Sequence, residues 1–346
     1  MKTILYRADG SKDIGMGHLN RSSLVCQEFI SNSNKTNLLM KQDSKGFLFI
    51  NNKEISITEL PTFKSMSEEI EFLSAQIKNT KTDILFLDIL NHDEYNELLG
   101  ICNKNNIITI VITDESEKMD NINADIVLNG NPNQLEYNYD NYSAKYLVGP
   151  SYFIMDHDYS IIENNQPNGE IRNILVTLGG SDHNNLLFDV LKVIDSIYEN
   201  INIIIITTKA SGYINRLKKL LNSLVNTTEL YIDVNSISHY WTKCDIAITA
   251  GGNTLFERIA TRTPGATVCQ LERQMEISDC FMKLGVNYNI GMGAELSQNE
   301  MENNFRVFFG DLELHKQQYL NAKNVISGDG IKLMMEELHK IPISNN

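Results

Sequence analysis

The sequence predicts an α/β protein of two Rossmann-like domains, residues 1–160 and 161–346, on three grounds. Apolar runs of strand length alternate with longer segments of helical period along the whole chain. The alternation stops at a polar stretch, Ser160 to Glu170 (SIIENNQPNGE), which reads as a linker, and then it restarts. Glycine-bearing turns follow several strands, and in parallel sheets ligands gather beyond the carboxyl ends of strands. At 346 residues the chain is long enough for two cores of ordinary size.

In the first half, Thr3 to Leu5 is a short apolar strand, and His18 to Ile30 sets Leu24, Val25 and Phe29 at helical spacing. Asn37 to Met40 reads as a second strand. Ser65 followed by Glu68 resembles a capping box before a helix carrying Ile70, Leu73 and Ile77. Asp83 to Asp88 is continuously apolar between its aspartates, as in a strand buried on both faces. Glu94 to Asn105 is helical in period, and Ile107 to Ile112 and Ala124 to Leu128 are strands before the loop Asn129 to Pro132.

In the second half, the strand Ile171 to Leu178 runs into Gly179-Gly180-Ser181-Asp182, with a helix through Leu186, Leu187, Val190 and Leu191. Strands at Ile201 to Thr207 and Glu229 to Ile232 flank a helix around Leu217 to Leu224. Asp245 to Thr249 ends in Ala250-Gly251-Gly252-Asn253-Thr254, with a helix over Leu255 to Thr261. Pro264 and Gly265 break that helix before the strand Ala266 to Cys269, and the chain from about Met275 is mostly helical in pattern.

Apolar content of 42% and charged content of 21% are those of a globular protein. Thirty basic against 44 acidic side chains leave a formal charge of −14, which argues against a nucleic-acid surface. An anionic small molecule stays compatible, since one helix N-terminus and one arginine neutralise a phosphate locally. The five cysteines are scattered, with no C-x-x-C pair, as expected of reduced thiols in a cytoplasmic protein. Arg7 cuts the N-terminal apolar run too short for a signal peptide, and no run approaches the roughly 18 apolar residues of a membrane span.

The seven histidines show no metal-binding spacing, and Asp156-His157-Asp158 reads as a solvated loop. The expectation is metal-independent chemistry without a cofactor. Walker and G-x-S-x-G sequences are absent.

The stretch Arg7 to Arg21 most needs a functional explanation. Gly15 and Gly17 allow close backbone approach, but Asn20 stands where a dinucleotide fingerprint has its third glycine. His18 lies in the first turn of a helix at a strand's carboxyl end, where a neutral imidazole is favoured as a base. Arg21 shares its helix face and could hold a phosphate or carboxylate, although a salt bridge is the commoner role for such an arginine. The turns at Gly179–Asp182 and Gly251–Thr254 suit a diphosphate, because glycines admit it to the backbone and the following helix offers unpaired N–H groups. Glu257, one turn further, could accept ribose hydroxyls.

The pattern R-x-D-x-S-x-x-I-G-x-G-H-x-x-R over Arg7 to Arg21 resembles the signature of the nucleotide-sugar hydrolases of pseudaminic acid biosynthesis. Those enzymes act on UDP-2,4-diacetamido-2,4,6-trideoxy-β-L-altropyranose. Leu178 to Asp182 (LGGSD), Ala250 to Glu257 (AGGNTLFE), Arg273-Gln274 and Ser327 to Gly330 fit as well. The second half is also similar to GT-B glycosyltransferases that transfer N-acetylglucosamine in peptidoglycan synthesis.

The resemblance implies a GT-B-like fold with two domains facing across a cleft, a UDP-sugar substrate and no cofactor. It implies that His18 activates water at the anomeric carbon, with UDP leaving and configuration inverting. It gives the diphosphate to Gly251, Gly252, Asn253 and Thr254, the ribose to Glu257, and the nucleotide side of the sugar to Gln274. Arg7, Asp9, Gly15, Gly17, Arg21, Asp88, Gly180 and Ser181 complete the implied substrate contacts.

Two positions depart from that family. Ile89 and Leu90 follow Asp88 where His-Tyr is usual, and Tyr152 to Tyr159 lacks the usual arginine. The sugar and its acceptor therefore stay open. Besides a hydrolase, the readings are a GT-B glycosyltransferase using a UDP-amino sugar and a silent nucleotide-sugar-binding protein, against which His18 argues. Oligomeric state is not legible.

Overall fold

Thirteen strands, all paired in parallel, form two separate sheets in the computed structural model, which describes residues 1–10, 17–44, 54–120, 122–180, 182 and 184–341. The chain divides into one unit of Met1–Met155 with Asp329–Asn346 and another of Asp156–Gly328. This is the two-domain α/β arrangement of the GT-B fold.

The first unit runs β1 (Thr3–Ala8), α1 (Gly17–Ser31), β2 (Lys35–Lys41), β3 (Ser56–Leu60), α2 (Met66–Thr80), β4 (Ile84–Asp88), α3 (Asn96–Lys104), β5 (Ile108–Ile112), β6 (Ile126–Asn129) and β7 (Lys145–Val148). The sheet order is β3-β2-β1-β4-β5-β6-β7. Side chains alternate across it, as the pleat requires. Ile4, Tyr6, Ala8, Ile84 and Phe86 pack on one face with Phe29 of α1, whereas Leu5, Leu85 and Leu87 pack on the other with Leu73 of α2 and Leu98 of α3. By the same alternation Asp88 belongs to the α1 face and Arg7 to the α2 face. Ser65 does cap α2, its hydroxyl accepting from Glu68 N–H at 3.3 Å.

The second unit runs α4 (Asp158–Ile161), β8 (Asn173–Thr177), α5 (Leu186–Ile197), β9 (Asn202–Thr207), α6 (Ile214–Leu221), β10 (Thr227–Ile232), β11 (Ile246–Thr249), α7 (Asn253–Ala260), β12 (Gly265–Cys269), α8 (Glu272–Lys283), β13 (Tyr288–Met292), α9 (Gln298–Gly310) and α10 (Leu312–Ala322). Its order, β10-β9-β8-β11-β12-β13, is that of a doubly wound sheet. Isoleucines of β9 and leucines and valines of α5 dominate the core.

The division differs in two places from the expected 1–160 and 161–346. The last helix, α11 (Gly330–Leu338), returns to the first unit, because Met334, Met335 and Leu338 complete the apolar face that holds Ile4, Phe29 and Phe86. The polar stretch expected to be a linker is docked on the second unit. Asn164 is buried, and its amide donates to the carbonyls of Trp241 and Cys244, both at 2.9 Å. Among the described residues no helix is long and apolar enough to cross a membrane.

Candidate active site

In both sheets the strand order reverses at one point, between β1 and β4 and between β8 and β11. There the connections leave in opposite directions and open a crevice at the strand carboxyl ends. Each crevice holds residues singled out from the sequence.

At the first, His18 and Arg21 project from one face of α1, and Asp88 is the last residue of β4, paired in register with Ala8 of β1. His18 Nδ1 lies 2.6 Å from Asp88 Oδ1. Arg21 Nε donates to Asp88 Oδ2 at 2.7 Å, and its Nη2 reaches Oδ1. The Tyr6 hydroxyl donates to Asp88 Oδ2 at 2.9 Å. Arg21 Nη1 donates to Asp114 Oδ1, just past β5, at 2.7 Å.

Asp88 is wholly buried. Burial alone pushes its carboxyl up, but the Arg21 guanidinium and the hydrogen bonds from Arg21 and His18 outweigh burial and hold it below the usual range. Asp88 is therefore ionised and accepts from every neighbour. His18 Nδ1 consequently carries hydrogen, and in the neutral ring Nε2 is the nitrogen with the lone pair. Arg21 Nη2 also lies 2.9 Å from Nδ1, but both nitrogens are donors directed at Asp88. The result is an imidazole with a fixed tautomer and Nε2 as its base. Tyr6 pays into the same arrangement through burial and Asp88, which push its phenol well above its ordinary range and keep it a donor.

Arg7 and Asp9 are elsewhere. The pleat sends Arg7 to the α2 face, where it is fully buried. Its guanidinium donates to Asp9 at 2.6 and 2.7 Å and to Glu69 of α2 at 3.0 and 3.1 Å, and the Tyr95 hydroxyl donates to Glu69 at 2.6 Å. Asp9 also accepts from Lys41 N–H at 2.8 Å, tying the ends of β1 and β2 together. Arg7, Asp9 and Asp88, the implied substrate contacts, all pair with protein groups: Arg7 with Asp9 and Glu69, Asp9 also with Lys41 N–H, and Asp88 with His18, Arg21 and Tyr6. Arg21, read as a possible anion ligand or a salt-bridge partner, pairs with Asp88 and Asp114. Gly17 is the first residue of α1, and Gly15 lies outside the described residues.

At the second crevice the two glycine turns differ. After β8, Gly179 takes a left-handed φ of +80°. Asp182 then occupies the α5 N-terminus, accepting from Leu186 N–H at 2.9 Å, Leu187 N–H at 3.0 Å and the Tyr213 hydroxyl at 2.9 Å. A carboxylate of the chain itself thus occupies the N–H groups at the start of α5. Gly180 accepts from the Thr208 hydroxyl through its carbonyl, and Ser181 lies outside the described residues.

After β11, Gly252 is the N-cap of α7 and supplies no side-chain cap to Asn253 and Thr254 at the helix start. A Cβ on Gly251 would stand 2.8 Å from the Gln274 carbonyl oxygen, whereas one on Gly252 would meet nothing within 4 Å. Packing therefore demands the first glycine and not the second. Gln274 Oε1 accepts from Gln270 N–H at 2.9 Å. Glu257 has a buried Oε2 with no hydrogen-bond partner, and burial, with a smaller push from Asp156, raises its carboxyl to about 7 against the opposing hydrogen bond from Tyr159.

Tyr6 is a site residue that sequence reading missed, and Asp114 lies on a loop that the sequence marks as informative but to which it gives no role. Asp114 carried one signal, its position directly after a buried strand. Tyr6 carried none, since it reads as core. Among the described residues no group of three acidic, histidine or cysteine side chains could hold a metal.

No protein-family model matches the chain. A spore coat polysaccharide biosynthesis protein, SpsG of Bacillus subtilis, is 25% identical over 328 residues, 94% of each chain. The UDP-2,4-diacetamido-2,4,6-trideoxy-β-L-altropyranose hydrolase of Campylobacter jejuni is 21% identical over 286 residues, 82% of this chain and 97% of its own. Among solved structures, MurG of Acinetobacter baumannii matches with a TM-score of 0.76, covering 99% of this chain and 100% of its own at 11% identity. That last likeness concerns the fold alone. The chain is a GT-B-fold relative of the UDP-2,4-diacetamido-2,4,6-trideoxy-β-L-altropyranose hydrolases.

Proposed function

We propose that the chain is a UDP-sugar hydrolase that cleaves the anomeric C–O bond of a UDP-2,4-diacetamido-2,4,6-trideoxyhexose with inversion. It releases UDP and a free sugar that feeds nonulosonic acid synthesis. The observation that carries this reading is the buried Asp88 carboxylate 2.6 Å from His18 Nδ1, which leaves Nε2 as a base at the strand switch point.

The chemistry suits that base. UDP is a good leaving group and needs no strong acid, so the protein supplies a proton acceptor for water and stabilisation for the departing diphosphate. Water oxygen bonds to the anomeric carbon and its proton passes to His18 Nε2. The carbon–oxygen bond breaks with its electron pair leaving on the β-phosphate. In this reading the N–H groups at the start of α7 bind that phosphate, Gly252 admits it, and Glu257 accepts from the ribose through its unpartnered oxygen.

The test is to incubate the purified protein with UDP-2,4-diacetamido-2,4,6-trideoxy-β-L-altropyranose, without an acceptor and with EDTA present, and to follow UDP. Release that disappears in His18→Ala is the expected result. Release only after a sugar acceptor is added would make the protein a glycosyltransferase, and full turnover by His18→Ala would remove the assigned base.

A further inference from the structure

Arg258, in the last turn of α7, is a fully buried cation held by neutral groups alone. Its Nη1 donates to the Thr263 carbonyl at 3.2 Å and its Nη2 to Asn287 Oδ1 at 2.7 Å. Its Nε has no partner, and among the described residues no carboxylate is one of the charges that act on it. Burial lowers its guanidinium to about 9, against a weaker opposing pull from the Cys244 thiol.

The surroundings are built for this charge. Asn287 is buried, and its amide donates to Thr267 Oγ1 at 3.0 Å and Ser278 Oγ at 2.9 Å, which turns its carbonyl oxygen toward Arg258. β12 begins on Gly265, where a Cβ would stand 2.7 Å from Arg258 Nη1 and 2.2 Å from the Ala247 carbonyl oxygen. An uncompensated charge taken out of water is among the largest costs a fold bears, and two neutral acceptors offset it only in part. At about 1.5 Å per residue, the 8 residues of α7 separate the guanidinium from the N–H groups of Asn253 and Thr254 by about 12 Å. Across that length of protein interior, a unit charge still changes the affinity of an anion several-fold.

We propose that Arg258 is the counter-charge of the bound diphosphate, acting from the far end of α7 without touching the ligand. The proposal rests on the reading above that the diphosphate sits at the start of α7. The guanidinium cancels the negative pole at the carboxyl end of the helix, so an anion at the other end meets the positive pole unopposed. The contribution grows with the charge of the ligand. UDP gains more from it than UMP, so a group remote from the phosphates favours the diphosphate over the monophosphate.

Calorimetric titration of the full chain with UDP and with UMP tests this. Arg258→Met removes the charge at similar volume, and Arg258→Lys keeps it. The expected result is UDP binding about tenfold weaker and UMP binding about threefold weaker in Arg258→Met, with Arg258→Lys within about twofold of the wild type for both. Affinity is read on the molecules that bind, so a lower folded yield leaves it measurable. If Arg258→Met does not fold, Arg258→Gln, which keeps a donor for Asn287, serves as the neutral variant. Equal losses for UDP and UMP, no loss in the neutral variant, or a loss in Arg258→Lys as large as in the neutral variant overturns the proposal. A wild-type chain that binds neither nucleotide would instead overturn the reading that α7 holds the diphosphate.

Discussion

His18 and Asp88 meet across 70 residues of sequence because β1 and β4 are neighbours in register, with Ala8 opposite Asp88, and their side chains join at 2.6 Å. The carboxylate is buried and ionised, so the imidazole has one tautomer and one free nitrogen. Asp88→Asn should retain the fold while its amide presents a donor to Nδ1 and inverts the tautomer preference. The expected outcome is a kcat reduced about 10²- to 10⁴-fold, with KM close to the wild-type value in steady-state assays.

Arg7 answers to a different measurement. Its guanidinium is sandwiched between Asp9 and Glu69 on the far face of the sheet from His18. Arg7→Ala leaves two carboxylates without their partner, and loss of one member of a buried ion pair costs about 3–5 kcal/mol. Urea unfolding should show a loss of that order. Turnover per folded molecule should stay within about twofold of the wild type, since side chains on that face act through stability.

The two glycines after β11 separate packing from binding. Gly251→Ala drives a Cβ to 2.8 Å from the Gln274 carbonyl oxygen and should lower the unfolding midpoint. Gly252→Ala meets nothing within 4 Å, at an ordinary φ of −96°, and should leave stability unchanged. Calorimetric titration with UDP should nonetheless show about tenfold weaker binding for Gly252→Ala, because the new methyl group occupies space the diphosphate needs.

Glu257 gives a pH signature. Burial raises its carboxyl from 4.5 to about 7, so the folded chain keeps a proton over that interval which the unfolded chain has released. Stability from this group is accordingly lost as pH rises through the window. Glu257→Gln should match the wild type in thermal unfolding near about pH 5 and exceed it near about pH 8, by on the order of 1–3 kcal/mol. UDP affinity should fall in the same variant, which gains stability and loses a ribose acceptor.

Much of this was legible in the residues, for reasons that differ by element. β4 and β5 sit in the middle of their sheet and read as unbroken apolar runs, because burial on both faces leaves no polar alternation. β3, β7 and β13 escaped detection. Each is an edge strand with one partner, and Ser56, Ile57 and Glu59 of β3 are exposed. His18 was visible because glycines precede it at a helix start. Its partners were less so. That Asp88 faces α1 while Arg7 faces α2 follows from pleat parity and register, which depend on which strands are neighbours. A carboxylate at a strand end looks the same in sequence whether it touches a ligand or locks a histidine. Likewise, nothing in the sequence of the turn after β8 tells that Asp182 itself accepts from two N–H groups of α5.

The central claim is attack by water, activated at His18 Nε2, on the anomeric carbon. Turnover of UDP-2,4-diacetamido-2,4,6-trideoxy-β-L-altropyranose in ¹⁸O-labelled water, read by mass spectrometry of both products, tests it directly. The account predicts that the label enters the free sugar at its anomeric hydroxyl and that UDP carries none. Label in the β-phosphate of UDP would place the attack at phosphorus and contradict it.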